Sequence, residues 1–260
     1  MTRGKPTVVV LFAALAVVLC LGPAPSSFAQ GGPPMLTDDP GTPGNGVLES
    51  NFAYLEQRTR QERLRSFPHV DFNYGLGDNI QLKYETGWLY ANAPEGGGVK
   101  SGLDDSLFGL KWRFLDQERN GFDMSVYPQL QVENSPGSVA RRIAEPGPNL
   151  LLPLQVGYDF GKTKIIGDLG YQYFHAQDSE RIIGLLGALE VSDALELMAE
   201  VRRFSEKLLG RGDVVGNLGL RQALSPKVKL LASVGTGLTN GPTTPTFIAY
   251  LGVQVVVGEK

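Results

Sequence analysis

The chain has 260 residues, one cysteine, 24 basic against 27 acidic side chains and 42% hydrophobic residues, with a mean hydropathy near zero. The slight negative balance excludes a nucleic-acid binder, whose contact face needs clustered Lys and Arg. A single thiol excludes a disulfide framework, and the length suits one large domain.

Residues 1–29 read as an export signal. Arg3 and Lys5 make a basic start, residues 8–21 are almost wholly apolar, and Ser27 and Ala29 supply small residues at the −3 and −1 positions of a cleavage site. The apolar run is too short for a comfortable membrane helix. Cleavage there removes Cys20, and with it any thiol or thiolate metal site, and leaves 22 basic against 27 acidic residues. A lipid-modified Cys20 is the rival use, but Val17, Val18 and Leu19 before it are not the small residues such a site carries.

Residues 30–46 (QGGPPMLTDDPGTPGNG) are a leader too rich in Pro and Gly for regular structure. It is either a periplasmic tail or a segment folded into the barrel lumen as a plug. Residues 47–260 are the barrel domain, with twelve candidate strands.

The first strand is weak and begins near Asn51. Residues 69–74 place Val70, Phe72 and Tyr74 on one face and His69, Asp71 and Asn73 on the other. Residues 79–90 set Ile80, Leu82, Tyr84 and Trp88 against Gln81, Lys83 and Glu85. Residues 106–114 set Phe108, Leu110, Trp112 and Phe114 against Gly109, Lys111 and Arg113. Residues 122–132 set Phe122, Met124, Val126, Leu130 and Val132 against Asp123, Ser125, Gln129 and Gln131. Period-two alternation this long means strands with two unlike faces. Blander strands come after these over 149–160, 163–174, 182–191, 195–204, 214–224, 227–238 and 246–257.

Short connections (75–78, 116–121, 161–162, 192–194, 225–226) alternate with mostly longer ones (91–102, 133–149, 176–180, 205–213, 239–245). Tyr74, Trp112, Phe114, Phe122, Tyr158 and Phe160 fall near the short-turn end. Tyr54, Trp88, Tyr90, Tyr171, Tyr173 and Phe247 fall near the other. Outward apolar residues, unequal loops and an aromatic girdle at each rim are the pattern of an outer-membrane barrel. A secreted β-sandwich would also alternate, but its outer face would be polar.

The inward faces carry Lys83, Lys111 and Arg113 from adjacent strands and Arg202, Arg221 and Lys229 from later ones. Asp71, Glu85, Asp123, Asp168, Glu190 and Glu200 oppose them. Such charges can line a narrow aqueous pore, or pair across it and close it as a polar core. A lipid hydrolase is the rival class: His69 has Ser66 and Asp71 nearby, and His175 precedes Asp178 and Ser179, but neither sits in a recognisable catalytic motif. Asp38-Asp39 is explained as well by a turn as by cation binding.

Specific strings point to a family. LTDDPGTPG (36–44), DFNYGLGDNIQLKYE (71–85), GLKWRF (109–114), YPQL (127–130) and LLLPL (150–154) resemble the Gram-negative outer-membrane proteins described as the MetA-pathway of phenol degradation family. The resemblance covers most of the chain after the signal and is densest over 36–160. It implies a transporter-like barrel passing small organic solutes, aromatic ones included. The chain ends in Gly258-Glu259-Lys260, without the terminal aromatic that many barrels present for insertion.

The expectation is thus an all-β, antiparallel, up-and-down transmembrane barrel in the cell outer membrane, acting as a narrow passive channel and not an enzyme. Its partners are small solutes, outer-membrane lipid and the barrel-assembly machinery, with no nucleic acid and no cofactor. Lumen contacts are expected from Asp71, Asn73, Gln81, Lys83, Glu85, Lys111, Arg113, Gln129, Gln131, Arg202 and Arg221. Within that set Lys83, Lys111 and Arg113 form a basic ladder facing Asp71 and Glu85.

Overall fold

In a computed structural model, which describes residues 32–92, 98–141, 143–207 and 212–258, the alternating segments pair into one antiparallel sheet that closes on itself. The first strands are β1 (Leu48–Arg58), β2 (Arg63–Leu76) and β3 (Ile80–Asn92). β4 comes in two pieces (Lys100–Leu103 and Ser106–Leu115), as does β5 (Asp123–Val126 and Gln129–Val132). Next come β6 (Asn149–Asp159), β7 (Thr163–Tyr173), β8 (Glu180–Ser192) and β9 (Leu195–Ser205). β10 (Asp213–Ser225), β11 (Val228–Gly237) and β12 (Phe247–Val257) complete the circuit. The two short helices, α1 (Gln117–Asn120) and α2 (Pro136–Ala140), lie in connections.

Closure is made by the first and last strands, in register from Leu48 opposite Val257 to Arg58 opposite Phe247. Every other strand pairs with its sequence neighbours. The twelve expected strands are therefore the twelve found, and the sandwich alternative falls because there is no second sheet among the described residues.

Two strands are interrupted without losing their place. In β5 the break falls at Tyr127-Pro128, where proline has no N–H for the ladder. Tyr127 N still donates to Pro153 O at 3.1 Å, and Leu110 N donates to Pro128 O at 3.0 Å, so the wall stays sealed. The sequence signal over 69–74 is the clear half of a longer strand. β2 begins at Arg63, and a bulge between Ser66 and His69 disrupts its alternation.

Burial is inverted relative to a water-soluble domain. Leu82, Leu110, Trp112, Leu130, Leu185, Leu218 and Leu251 are exposed on the outer wall, whereas Asp71, Gln81, Lys111, Gln155 and Asn217 are buried inside. Water-soluble monomers rarely expose contiguous apolar surface of more than a few hundred Å². A closed sheet with such a wall satisfies every backbone group internally, which is what hydrocarbon demands. Rings meet at both ends of the wall: Trp112 with Phe114 and Tyr158 with Phe160 at the short turns, Tyr54 with Phe67 at the opposite rim. At the β2–β3 turn Gly77 adopts φ 66°, a left-handed conformation that glycine takes without steric cost.

Candidate functional site

The interior of the barrel is occupied by the protein's own leader. Residues 32–46 have no ladder of their own, so their backbone groups need partners from the wall. Glu200 supplies two, its carboxylate oxygens accepting from Leu36 N at 2.9 Å and Thr37 N at 2.7 Å. Arg202 Nη1 donates to Leu36 O at 2.5 Å, Arg221 Nη2 to Pro33 O at 3.1 Å and Ser233 Oγ to Pro34 O at 2.7 Å. Lys111 Nζ donates to Asp39 O at 2.6 Å and Gly41 O at 3.2 Å, and lies 3.2 Å from Asp38 Oδ2. At the short-turn end Thr42 Oγ1 donates to Asp78 O at 2.6 Å.

Apolar packing fixes the same segment. Met35 lies in a buried cluster with Ile166, Leu186, Ala188 and Met198, all at inward positions of β7, β8 and β9. Inward apolar residues would be wasted against water, and here they are covered by the leader. That accounts for the blandness of the later strands in sequence.

The expected basic ladder is three separate arrangements. Lys83 alone meets the two acids, with Nζ 3.1 Å from Asp71 Oδ1 and 2.7 Å from Glu85 Oε2. His69 Nε2 approaches Glu85 Oε1 at 3.4 Å. A chain of amides continues from there: Asn51 and Asn73 donate to Asp71, Gln81 donates to Asn73 Oδ1 at 2.7 Å, and the same Gln81 amide reaches Tyr127 Oη at 3.0 Å. Lys111 turns to the leader and lies 4.7 Å from the Tyr127 ring centre. Arg113 points to the short-turn mouth, donating to Asp78 O at 3.0 Å and standing 3.4 Å from Asp116 Oδ2. Lys111 and Arg113 therefore do not face Asp71 and Glu85. Register places their positions on the inner wall, but neighbours nearer to each of them capture the charge.

The remaining expected residues are distributed similarly. Arg202 pairs with Asp168 at 2.9 Å and Arg221 with Glu196 at 2.8 Å. Gln131 Nε2 donates to Asp105 Oδ2 at 2.5 Å, while Gln129 lines a cavity. Sequence reasoning passed over Tyr127, fully buried at the waist, although the odd parity of Ser125 and Gln129 on either side of it places it inward. It also passed over Tyr250, whose inward position is the even register of β12.

Two cavities lie on either side of the leader. One of about 440 Å³ opens toward the long loops and is lined by Ser66, His69, Glu85, Asp104 and Tyr250, with Met35 from the leader. The other, about 860 Å³, faces the short turns and is lined by Pro40, Thr42, Asp78, Arg113, Asp123 and Lys164. Between them is a space of about 20 Å³ among Asp38, Asp39, Asn73, Gln81 and Lys111, room for about one water.

Among the described residues Ser66 Oγ makes no hydrogen bond and so is not paired with His69 as a base, and the backbone N–H of His175 donates to Asn149 Oδ1 at 2.9 Å. Among the described residues no group of His, Cys, Asp and Glu is arranged to hold a metal. The export signal lies outside the described residues.

No protein-family model matches the chain, and no curated protein matches it. Solved structures share its architecture. An outer-membrane channel from Pseudomonas putida F1 superposes with a TM-score of 0.63 at 16% identity, over 84% of this chain and 98% of that one. The KdgM porin superposes with a TM-score of 0.52 at 10% identity, over 79% of this chain and 98% of its own. KdgM in complex with disordered oligogalacturonate gives 0.53. At these identities the likeness is one of fold: the chain has the barrel architecture of outer-membrane channels and porins.

Proposed function

We propose that this chain is an outer-membrane channel for small solutes whose waist is closed by its own leader. The observation that carries the reading is the pair of cavities, about 440 and 860 Å³, divided by a segment held mainly through hydrogen bonds to charged wall residues. A core meant only for stability would be filled with interlocking apolar side chains. Here the wall residues at the division can exchange the leader's groups for water.

The proposed route is diffusion. When residues 32–41 shift, Glu200, Arg202, Lys111 and the amides of Asn73 and Gln81 line one continuous polar passage, and a solute passes by size and polarity. The fold shared with channels and porins supports this reading, as does the resemblance to the MetA-pathway of phenol degradation proteins. With the short turns facing the periplasm, the leader enters from the side at which the export signal would be cleaved. On this reading the apolar wall meets outer-membrane lipid and reaches it through the barrel-assembly machinery.

A second reading, a closed barrel with no transport, is favoured by one observation, the number of hydrogen bonds that anchor residues 33–42. Single-channel recording separates the two. Purified protein lacking residues 30–46 should conduct steadily in a planar bilayer, and the full processed chain should conduct rarely. Silence from both would leave the structural barrel.

A further inference from the structure

The cavity on the long-loop side has a chemistry of its own, and it rests on the channel reading only for how a ligand would arrive. At about 440 Å³ it falls within the ~300–1,000 Å³ typical of small-molecule pockets. Much of its lining is apolar, from Leu55, Leu89, Leu107, Leu151 and Ile248 with Met35 of the leader below.

Its lining carries more acidic than basic side chains. Arg202 is matched by Asp168 at 2.9 Å. Of the acids at its margins, Glu56 is matched by Arg58 and Arg63 and Asp38 by Lys111. That leaves Lys83 shared between Asp71 and Glu85, with His69 beside Glu85. Asp104 forms no ion pair among the described residues: its carboxylate Oδ1 accepts only from Asp105 N, at 2.8 Å, and its own backbone N–H donates to Gly87 O at 2.9 Å on the same wall. Even with His69 protonated, Asp71, Glu85 and Asp104 meet only Lys83 and His69 within the lining, since both arginines on Glu56 lie at the exposed rim.

Two hydroxyls here are left without partners. Ser66 Oγ and Tyr250 Oη are buried, at 5% and 8% residue exposure, and make no hydrogen bond, yet both residues line this cavity. Buried hydroxyls are ordinarily satisfied, since leaving one unpaired costs about 1–3 kcal/mol. Gly87 leaves room beside Ser66: a Cβ there would fall 2.3 Å from Ser66 Oγ and 3.3 Å from His69 Nδ1.

We infer that this cavity is a binding site for small organic cations, an ammonium head on an apolar body. The head is taken by Asp104 and by whichever of Asp71 and Glu85 Lys83 does not neutralise. The body lies on the leucines, and the head's remaining N–H is accepted by Ser66 or Tyr250. An anion of the same shape would meet unmatched carboxylates, and like charges at contact distance oppose binding.

Isothermal titration of the detergent-refolded processed chain, leader included, tests this with three probes of one shape: phenethylammonium, 2-phenylethanol and phenylacetate. Phenethylammonium should bind at least about tenfold more tightly than 2-phenylethanol, with phenylacetate weakest. D104N and E85Q should each weaken the cation about five- to tenfold and leave the alcohol unchanged. Heat-modifiable gel migration confirms that each variant is folded, and D104N carries the test alone if E85Q does not fold. Equal affinity for the three probes, or cation binding indifferent to D104N, overturns the inference. Because binding is read on the leader-closed barrel in detergent, silent bilayers would remove the channel reading and leave this site standing. Conductance without a cation preference in the titration would remove this site alone.

Discussion

Lys111 Nζ stands 2.6 Å from the carbonyl oxygen of Asp39, and by that bond a strand in the barrel wall holds the segment that fills the barrel. The same ammonium reaches Gly41 O at 3.2 Å and the Asp38 carboxylate at 3.2 Å, at only 1% exposure. One side chain thus serves three groups of the leader. Hydrogen bonds to a charged group contribute about 1.5–3 kcal/mol each, so Lys111 is the strongest single tether on this side of the lumen.

Replacing it should release the leader. K111M keeps the length of the side chain and removes its charge and its donors. Loss of even one such bond, about 1.5–3 kcal/mol, corresponds to roughly ten- to a hundredfold more time with the leader displaced. Single-channel traces of K111M should show more frequent openings, and added protease should cut within residues 32–41 faster than in the parent. A trace identical to the parent would assign closure to Glu200 and Arg202 on the opposite wall.

Arg113 should behave differently, because it lies at the short-turn mouth among Asp78, Asp116, Asp123 and Asp159 and not at the waist. R113Q leaves that vestibule more acidic without touching the leader. Reversal potentials in a salt gradient, measured on protein lacking residues 30–46, should move toward cation selectivity while unit conductance changes little. Equal effects of R113Q and K111M on selectivity would restore the single ladder that the sequence suggested.

Gly75 offers a steric route to the same opening. It lies on the inner face of β2, where a Cβ would fall 1.7 Å from Gly44 O. That neighbour is backbone, so a methyl group cannot be absorbed by a side-chain rotation. Gly75 also exchanges backbone hydrogen bonds with the leader's end, accepting from Gly46 N and donating to Val47 O, both at 2.9 Å. G75A should fold as a barrel, migrate normally on heat-modifiable gels, and conduct as though the base of the leader were detached.

The lipid-facing wall can be probed at Leu218, 65% exposed and central in β10. An arginine at the midplane of a barrel's outer face costs about 2–4 kcal/mol in a bilayer. L218R should therefore lower the urea midpoint of the protein in lipid vesicles. The inward neighbour Asn217 gives the contrast: its side chain donates to Glu200 at 2.6 Å, so N217A should act on the leader and leave the lipid-dependent part of stability alone.

In the connection over 133–149, burial first, and then the charges of Asp105 and Glu62, raise the Glu145 carboxyl above its ordinary value. A raised native value means the folded loop holds this proton more tightly than the unfolded chain does. Ionised Glu145 thus opposes the folded loop at neutral pH, and the opposition vanishes as pH falls below the ordinary glutamate range. E145Q should slow hydrogen exchange over 133–149 at pH 7 and match the parent at pH 4. A larger effect at pH 4 would reverse the assigned sign.

What the sequence determined by itself is the barrel. Side chains alternate across a strand as a consequence of local backbone geometry, so Leu82 and Lys83, or Trp112 and Lys111, are assigned to opposite faces by parity alone. Turn residues such as Gly77-Asp78 likewise act within a few positions. Parity was interrupted by a local irregularity over the bulged start of β2. Tertiary structure decided what the inward residues do, because their partners are far away in the chain. Lys111 is 72 residues from Asp39, Arg202 is 166 from Leu36 and Ser233 is 199 from Pro34. Which carboxylate or carbonyl a lumen cation reaches is set by closure of the ring and by the course of a Pro- and Gly-rich segment with no periodicity to read. That is why a ladder of like charges in the sequence became, in the folded barrel, one acid cluster, one tether and one residue of the mouth.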